Sequence, residues 1–317
     1  MALDNATLAF LAAAAEAAGP DAKPMWHLEP VDARAVSAGM TPIFGTGPDM
    51  HATHDHLLTG IDGGQFTVRV HVPVENPAGV FVYLHGGGWV LSGIDDFDTL
   101  GRQLAAKSGC AVVLVNYRKA PESRFPIAVE DSWTALQWTA DHLEDIAGAP
   151  VPLFVGGDSA GGNLSAVMAL RARDYNGPQL AKQILVYPVT DADFSRGSYL
   201  EDENQTLLTT EFMQWFWDHY VPNPEDRGHH EASPLRAESL EGLAPALVIT
   251  SAHDVLRDEG EAYAQRLREA GVPTEHQRWE GQMHGFFSMV NVLPAAAEAM
   301  DFVAASVRAG LKQEATR

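Results

Sequence analysis

The chain has 317 residues, a formal net charge of −21 and a single cysteine, Cys110. This length can bury a substantial core, in one large α/β domain or in two smaller ones. An acidic surface repels nucleic acid and anionic membranes, so we expect neither as a partner. One cysteine excludes an intramolecular disulfide and a metal site built from several cysteines. The acidic surface fits ordinary solubility, with salt tolerance as the alternative.

The N-terminal stretch MALDNATLAFLAAAAEAAGP is largely apolar but does not match a signal peptide. It has no basic start, and Asp4 and Glu16 interrupt the apolar run that a signal peptide needs. We predict an amphipathic helix that ends at Gly19-Pro20. Because no segment reaches the ~18 apolar residues of a membrane span, we expect a cytoplasmic location.

Apolar runs alternate with helical patterns through most of the chain. Strands are predicted at 66–72, within 79–88, and at 111–117, 153–159, 184–188, 245–254 and 274–279. Helices are predicted at 127–141, 160–173 and 258–270. Such alternation is typical of a mostly parallel sheet with helices on both faces, so we predict an α/β fold.

Residues 191–231 break this alternation, because they contain no apolar strand pattern. Their stretch EFMQWFWDHY reads either as an ordinary core helix or as a lid over the carboxyl ends of the strands. We expect residues 1–48 and the 191–231 insertion to form a helical cap. Residues 49–190 and 232–317 would then form the catalytic domain.

Ser159 lies in VGGDSAGGNL, residues 155–164, among unusually small neighbours. The GDSAG core fits G-x-S-x-G between a predicted strand and a predicted helix, which is the context of a nucleophile elbow. Glycines on both sides would let the strand and helix approach closely around a strained serine. Taken alone, the motif also fits a glycine-rich turn between strand and helix that has no catalytic role.

The segment HGGGW, residues 85–89, also ends a predicted buried strand. Its glycines would let backbone N–H groups approach the oxygen that becomes negative during acyl transfer. This type of loop accompanies the serine elbow in lipases and esterases. We predict that His85 and Gly86 support the loop. A phosphate-binding glycine loop is the weaker alternative, because no lysine or Ser/Thr signature follows.

A reactive serine needs a base, and His284 in EGQMHGFF is our candidate because it follows the last predicted strand. Asp254 is the candidate acid that orients it, since it ends the strand at 245–254 and gives the chain order Ser, Asp, His. The neighbouring His253 should point away, and Asp258 and Glu259 fit as first-turn acids of the next helix. Other histidines are expected in loops or at an exposed edge: His51, His54, His56, His229 and His230.

Seven motifs together resemble the hormone-sensitive-lipase family of α/β-hydrolases, the bacterial family IV carboxylesterases. They are HGGGWV, YRKAPESRFP, GDSAGGNL, YPVTD, ASPL, HDVLRDEG and MHGFF, in the family's order over residues 80–290 or so. The resemblance implies a Ser159–His284–Asp254 triad and an oxyanion hole formed by the N–H groups of Gly87, Gly88 and Ala160. It also implies hydrolysis of short- to medium-chain acyl esters, no cofactor, no metal, and a homodimer as one assembly state.

Two positions depart from the family's pattern. The usual Thr-His-Asp element after HGGGW reads DDFD, with Phe97 in the place of the histidine, and Val255 replaces the usual proline after the acid. Neither change touches the predicted triad. We expect the substrate pocket to draw on six aromatic residues, each of which could instead belong to the core: Trp26, Trp89, Phe212, Trp215, Phe216 and Phe287.

Two other functions compete with ester hydrolysis. An amidase or peptidase could use the same triad on the same fold, and parallel ester and anilide assays would separate the two. A non-catalytic ligand receptor is the second alternative, because relatives of this type have lost the histidine, whereas His284 is present here.

Overall fold

The computed structural model describes residues 2–314 and shows an α/β-hydrolase fold built on one eight-stranded sheet. Along the sheet the strand order is β1-β2-β4-β3-β5-β6-β7-β8. The β1–β2 and β2–β4 pairs are antiparallel, and every other pair is parallel. The strands are β1 (Ala52–Thr59), β2 (Gln65–Val72), β3 (Val80–Leu84), β4 (Ala111–Asn116), β5 (Leu153–Asp158), β6 (Leu180–Val186), β7 (Ala246–His253) and β8 (Thr274–Met283).

Ten α-helices connect and cover these strands in the described part of the chain. They are α1 (Asn5–Ala18), α2 (Pro30–Met40), α3 (Asp98–Ser108), α4 (Ile127–Asp141), α5 (Leu143–Ala147), α6 (Ala160–Asp174), α7 (Gly197–Leu200), α8 (Thr210–Tyr220), α9 (Arg257–Glu269) and α10 (Pro294–Glu314). The predicted helices at 127–141, 160–173 and 258–270 correspond to α4, α6 and α9. None of the described helices is long and apolar enough to cross a membrane.

The central strands are apolar on both faces because each face carries its own layer of core. In β3, Val80, Val82 and Leu84 join one hydrophobic cluster, whereas Phe81 and Tyr83 join the cluster on the opposite face. All five residues of this strand are buried. Burial on both faces explains why its sequence is a continuous apolar run, as parallel strands between helices require.

The edge strand β1 was missed in the sequence. It carries His54 and His56, which lie on an exposed sheet edge, one of the two places expected for them. Most of its side chains are exposed, so the strand lacks the apolar alternation that marks a half-buried strand. Its pairing with β2 extends the sheet by one strand beyond the predicted set.

Residues 191–231 contain helices and turns but no strand, as predicted from their sequence. The N-terminal helices are tied to the sheet domain by specific polar contacts. Arg34 on α2 donates to the carbonyl oxygens of Val90 and Ala120, each at 2.7 Å, and forms a bidentate pair with Glu122. Such forked contacts fix both distance and orientation.

Glu259 lies in the first turn of α9, as predicted, and its side chain is buried. Its carboxylate accepts the N–H groups of Thr190 and Asp191 at 2.7 and 3.2 Å, and the Tyr199 hydroxyl at 3.0 Å. It therefore connects α9 to the segment after β6 and to α7. Burial raises the pKa of Glu259 to about 8, although its hydrogen bonds act in the opposite direction.

This buried carboxyl predicts a loss of stability as pH rises. Its folded-state pKa of about 8 exceeds the ordinary 4.5, so its contribution is complete below 4.5 and is lost as pH rises towards 8. We expect the wild-type free energy of unfolding to fall relative to Glu259→Gln between these pH values. Urea unfolding at several pH values measures the free energy of unfolding of both proteins. If the two free energies change with pH in parallel, the raised pKa of Glu259 is contradicted.

Candidate active site

Ser159 occupies a strained turn between β5 and α6. Its backbone angles are φ 56° and ψ −120°, a region that non-glycine residues rarely adopt. A Cβ at either Gly157 or Gly161 would overlap the carbonyl oxygen of Leu84 at the end of β3. Glycines here therefore allow the turn to press against β3, and this holds the Ser159 hydroxyl at the carboxyl edge of the sheet.

Three strand ends bring Ser159, Asp254 and His284 into one hydrogen-bonded chain. Nε2 of His284 lies 3.0 Å from Oγ of Ser159, and its Nδ1 lies 2.8 Å from Oδ2 of Asp254. Asp254 is fully buried, and its other oxygen accepts the N–H of Leu256 at 2.9 Å. A proton on Nδ1 directed at the carboxylate leaves Nε2 able to accept the serine proton.

The glycine loop lies next to this chain with unusual backbone angles. Gly87 and Gly88 have φ values of 107° and 59°, and Trp89 follows with 60°. A Cβ at Gly88 would overlap the ring of Phe216, so no larger residue fits there. In the described part of the chain, the N–H groups of Gly87 and Gly88 donate no hydrogen bond. The N–H of Ala160 begins α6 and lacks an intrahelical partner.

His85 and Gly86 lie where they can hold this loop in place. Nδ1 of His85 lies 2.7 Å from the carbonyl oxygen of Gly86, and the Tyr117 hydroxyl donates to the carbonyl oxygen of His85. The Tyr117 ring stacks on the imidazole at 4.3 Å. Burial lowers the pKa of His85 to about 3, so the ring is neutral at ordinary pH and can support the glycine loop in one orientation.

Asp158 also lies in this site, and the sequence reasoning did not single it out. Its Oδ1 accepts both the Tyr83 hydroxyl at 2.8 Å and the N–H of Gly86 at 3.0 Å. Burial raises the pKa of this carboxyl to about 6. Asp158 thus connects the serine turn to the glycine loop. Its place directly before Ser159 in GDSAG was the available signal.

A cavity of about 190 Å³ opens onto Ser159 and His284. Its walls come from α2 and the turn after it, the glycine loop, the segment before α8, and α8 itself. The apolar lining residues are Met40, Phe44, Leu91, Phe97, Leu207, Leu208, Phe212 and Phe216. Polar lining side chains include Ser37, Ser92, Asp96, Asp158 and Ser288.

Only two of the six predicted pocket aromatics, Phe212 and Phe216, line this cavity. Trp89 is fully buried and stacks on Tyr220 at 4.3 Å, while Phe287 is buried in the core beside α10. Trp26 and Trp215 pack behind Phe212, each with ring centroids 5.7 Å away. These four aromatics therefore belong to packing around the cavity, and their prediction as lining residues is wrong.

The competing histidines lie elsewhere. His51, His54 and His56 line a surface groove beside Trp138 and His142 at the β1 edge. No group of three or more described His, Cys, Asp or Glu side chains has a geometry that could hold a metal ion. His253 ends β7 with its Nε2 unpartnered among the described residues.

Comparisons with known proteins agree with the observed fold. A family model described as the alpha/beta hydrolase fold matches residues 81–288. Carboxylesterase NlhH of Mycobacterium tuberculosis is 41% identical over 252 residues, which cover 77% of this chain and 79% of that protein. Ethyl acetate hydrolase of Pseudomonas putida is 35% identical over 88% of this chain and 90% of its own length.

Solved structures give the same result across nearly the whole chain. A thermostable esterase from Pseudomonas putida ECU1011 superposes with a TM-score of 0.88 at 38% identity and covers 98% of both chains. An ester hydrolase from the metagenome of Lake Arreo, Spain, gives a TM-score of 0.91 at 34% identity, covering 97% of this chain and 98% of that one. This chain is thus a carboxylic ester hydrolase and belongs to the hormone-sensitive-lipase-like carboxylesterases of the α/β-hydrolase fold.

Proposed function

We propose that the protein is a serine carboxylesterase that cleaves short- to medium-chain acyl esters through an acyl-enzyme. The observation that carries the proposal is the hydrogen-bonded chain from Ser159 through His284 to Asp254, at the floor of a mostly apolar cavity. A weak serine nucleophile becomes reactive when an adjacent base is itself oriented by a third group.

In the acylation step, Oγ of Ser159 attacks the ester carbonyl carbon while Nε2 of His284 takes its proton. The carbonyl oxygen becomes negative and would be met by the N–H groups of Gly87, Gly88 and Ala160. Asp254 stabilises the imidazolium that forms, because its carboxylate faces Nδ1 at 2.8 Å. His284 then gives its proton to the leaving alcohol as the tetrahedral intermediate collapses.

In the deacylation step, water takes the place of the alcohol. His284 removes a proton from the water, the resulting hydroxide attacks the acyl-enzyme, and the same three N–H groups receive the negative oxygen. Collapse of the second intermediate releases the acid and returns the proton to Ser159. The cycle uses only this chain's side chains, its backbone N–H groups and water.

We also propose that residues 1–48 and 191–231 act as a cap on a catalytic domain formed by 49–190 and 232–317. The support is the composition of the cavity wall. Ser37, Met40 and Phe44 come from the N-terminal segment, and Phe212 and Phe216 come from the insertion. Both segments thus contribute to the surface that a substrate would touch beside Ser159.

Replacement of Ser159 tests the nucleophile. Ser159→Ala removes the attacking oxygen, and we expect kcat on p-nitrophenyl butyrate to fall by about 10⁵ or more, in line with loss of a triad serine. Ser165→Ala is a matched control: Ser165 is also buried on α6, but its hydroxyl donates to the carbonyl oxygen of Gly161. Near-normal activity in a folded Ser159→Ala protein would refute the proposed mechanism.

Replacement of Asp158 tests the connection to the glycine loop. Asp158→Ala leaves the Gly86 N–H without its acceptor, so we expect kcat to fall by up to about 10²-fold, close to the effect of losing one oxyanion donor. Asp158→Asn keeps an oxygen acceptor and should retain more activity. KM should change less than kcat in both variants. Unchanged kcat in a folded Asp158→Ala protein would remove Asp158 from this role.

The size of the cavity predicts a preference for short acyl chains. At about 190 Å³ it is smaller than most ligand pockets, which range over about 300–1,000 Å³. In a p-nitrophenyl series from acetate to laurate, we expect the highest kcat/KM at six acyl carbons or fewer, and a fall of about ten-fold or more by decanoate. A matched anilide series distinguishes an esterase from an amidase. A maximum at laurate would contradict the size argument.

A further inference from the structure

Asp96 places a carboxylate in the wall of the cavity that Ser159 and His284 line. It lies in the DDFD segment, where the sequence departs from the family's usual Thr-His-Asp element and puts Asp96 at the position of the threonine. The adjacent Phe97 lines the cavity as well. This departure therefore alters the chemistry of the cavity itself and not a remote part of the surface.

The carboxylate of Asp96 is held from one side. The hydroxyl of Thr41, just after α2, donates to Oδ1 of Asp96. Within the described residues, Oδ2 accepts no hydrogen bond and forms no ion pair. A half-buried side chain that is fixed at one oxygen can present the other to a bound molecule at low entropic cost.

Among the described residues, the cavity wall offers no cationic side chain that could pair with Asp96. The described lining contains no lysine or arginine. Lys119 interacts electrostatically with Asp96 but donates to Asn116 and is not part of the lining. The second carboxyl group of the lining, Asp158, is already bound by Tyr83 and Gly86. Of the two carboxyl groups in the described lining, Asp96 is therefore the one that is free to interact with a substrate.

The mostly apolar lining strengthens the effect of that charge. Charges interact more strongly where little water separates them than they do in bulk solvent. A substrate carboxylate beside Asp96 would lose hydration and meet a like charge, both of which disfavour binding. An ammonium or a hydrogen-bond donor would meet an acceptor instead.

We propose that Asp96 is a specificity-determining residue, which makes the cavity favour esters with a cationic or hydrogen-bond-donating substituent and reject esters with a carboxylate. The inference rests on the serine carboxylesterase proposed above and adds the charge class of its substrates.

The test uses pairs of esters that match in shape and differ in charge. Acetylcholine and 3,3-dimethylbutyl acetate differ by one positive charge. Monomethyl succinate and methyl 4-methylpentanoate differ by a terminal carboxylate in place of an isopropyl group. Hydrolysis is followed by pH-stat titration, and the readout is the ratio of kcat/KM within each pair, with kcat and KM reported separately.

Asp96→Asn keeps an oxygen that can accept from Thr41 and removes the charge. We expect the cation-to-neutral ratio to fall and the anion-to-neutral ratio to rise, each by about five-fold or more, because the charges interact in a poorly hydrated site. The change should lie mainly in KM, since the charge is met on binding. Asp96→Thr, the residue usual in the family, is a second variant with the same expected direction.

Asp95→Asn is the matched control. It removes the same charge one residue away, but Asp95 is exposed, pairs with Arg69 and does not line this cavity. The ratios of kcat/KM within each ester pair should stay within about two-fold of wild type in Asp95→Asn, because solvent and salt screen exposed charges. Equal changes in Asp95→Asn and Asp96→Asn would assign the effect to net charge and overturn the proposal.

The neutral esters test the esterase separately from the role of Asp96. Absence of Ser159-dependent hydrolysis of both neutral esters would contradict the proposed function. If the Asp96 variants are active but their cation-to-neutral and anion-to-neutral ratios of kcat/KM are unchanged, only the role of Asp96 is contradicted.

Discussion

The contact on which this structure depends is the crossing of the β5–α6 turn over the end of β3. Gly157 and Gly161 face the carbonyl oxygen of Leu84, and a methyl group at either position would overlap it. Because the backbones approach this closely, Ser159 is forced into its strained conformation, and Ala160 begins a helix beside the glycine loop. One steric constraint therefore brings the proposed nucleophile and an unpaired N–H to the same place, which explains why small residues surround a single hydroxyl.

Buried carboxyl groups connect this turn to the segments around it, and their different environments suit different tasks. Asp254 lies 2.8 Å from Nδ1 of His284 and accepts the backbone N–H of Leu256, so its carboxylate is held beside the imidazole. Asp158 and Glu259 are bound by neutral donors, and burial raises the pKa of each. These two fit as fixed acceptors for the glycine loop and for the segment after β6, where orientation matters more than charge.

The sequence predicted the elements whose residues are set by burial or by tight turns. Ser159 and Asp254 could be found because each follows an apolar strand, and parallel strands end at one edge of a sheet. His284 follows the largely polar strand β8 and could be found from its place after the last predicted strand. The exposed strand β1 could not be found, since its side chains show no buried face. Trp89 and Phe212 look alike as aromatic residues, but only tertiary packing decides that Phe212 faces the cavity while Trp89 stacks on Tyr220. Glu259 was placed correctly in the first turn of a helix, but its burial could not be predicted, because its donors Thr190 and Tyr199 lie 69 and 60 residues away in sequence.

The cavity walls come largely from segments outside the sheet, whereas Ser159 and His284 lie at strand ends. In the proposed mechanism, the hydrogen-bonded chain activates Ser159 towards any ester carbonyl that reaches it, so discrimination between esters would come from the cavity walls. Those walls combine aromatic residues from α8 with Asp96 and its partner Thr41, which come from two different segments. Thr41 belongs to the N-terminal segment and holds the Asp96 carboxylate. Movement of that segment would therefore change both the shape of the cavity and the position of its negative charge. The proposed size selection and charge selection would therefore be coupled, because the same segment supplies Met40 and Phe44 to the apolar wall.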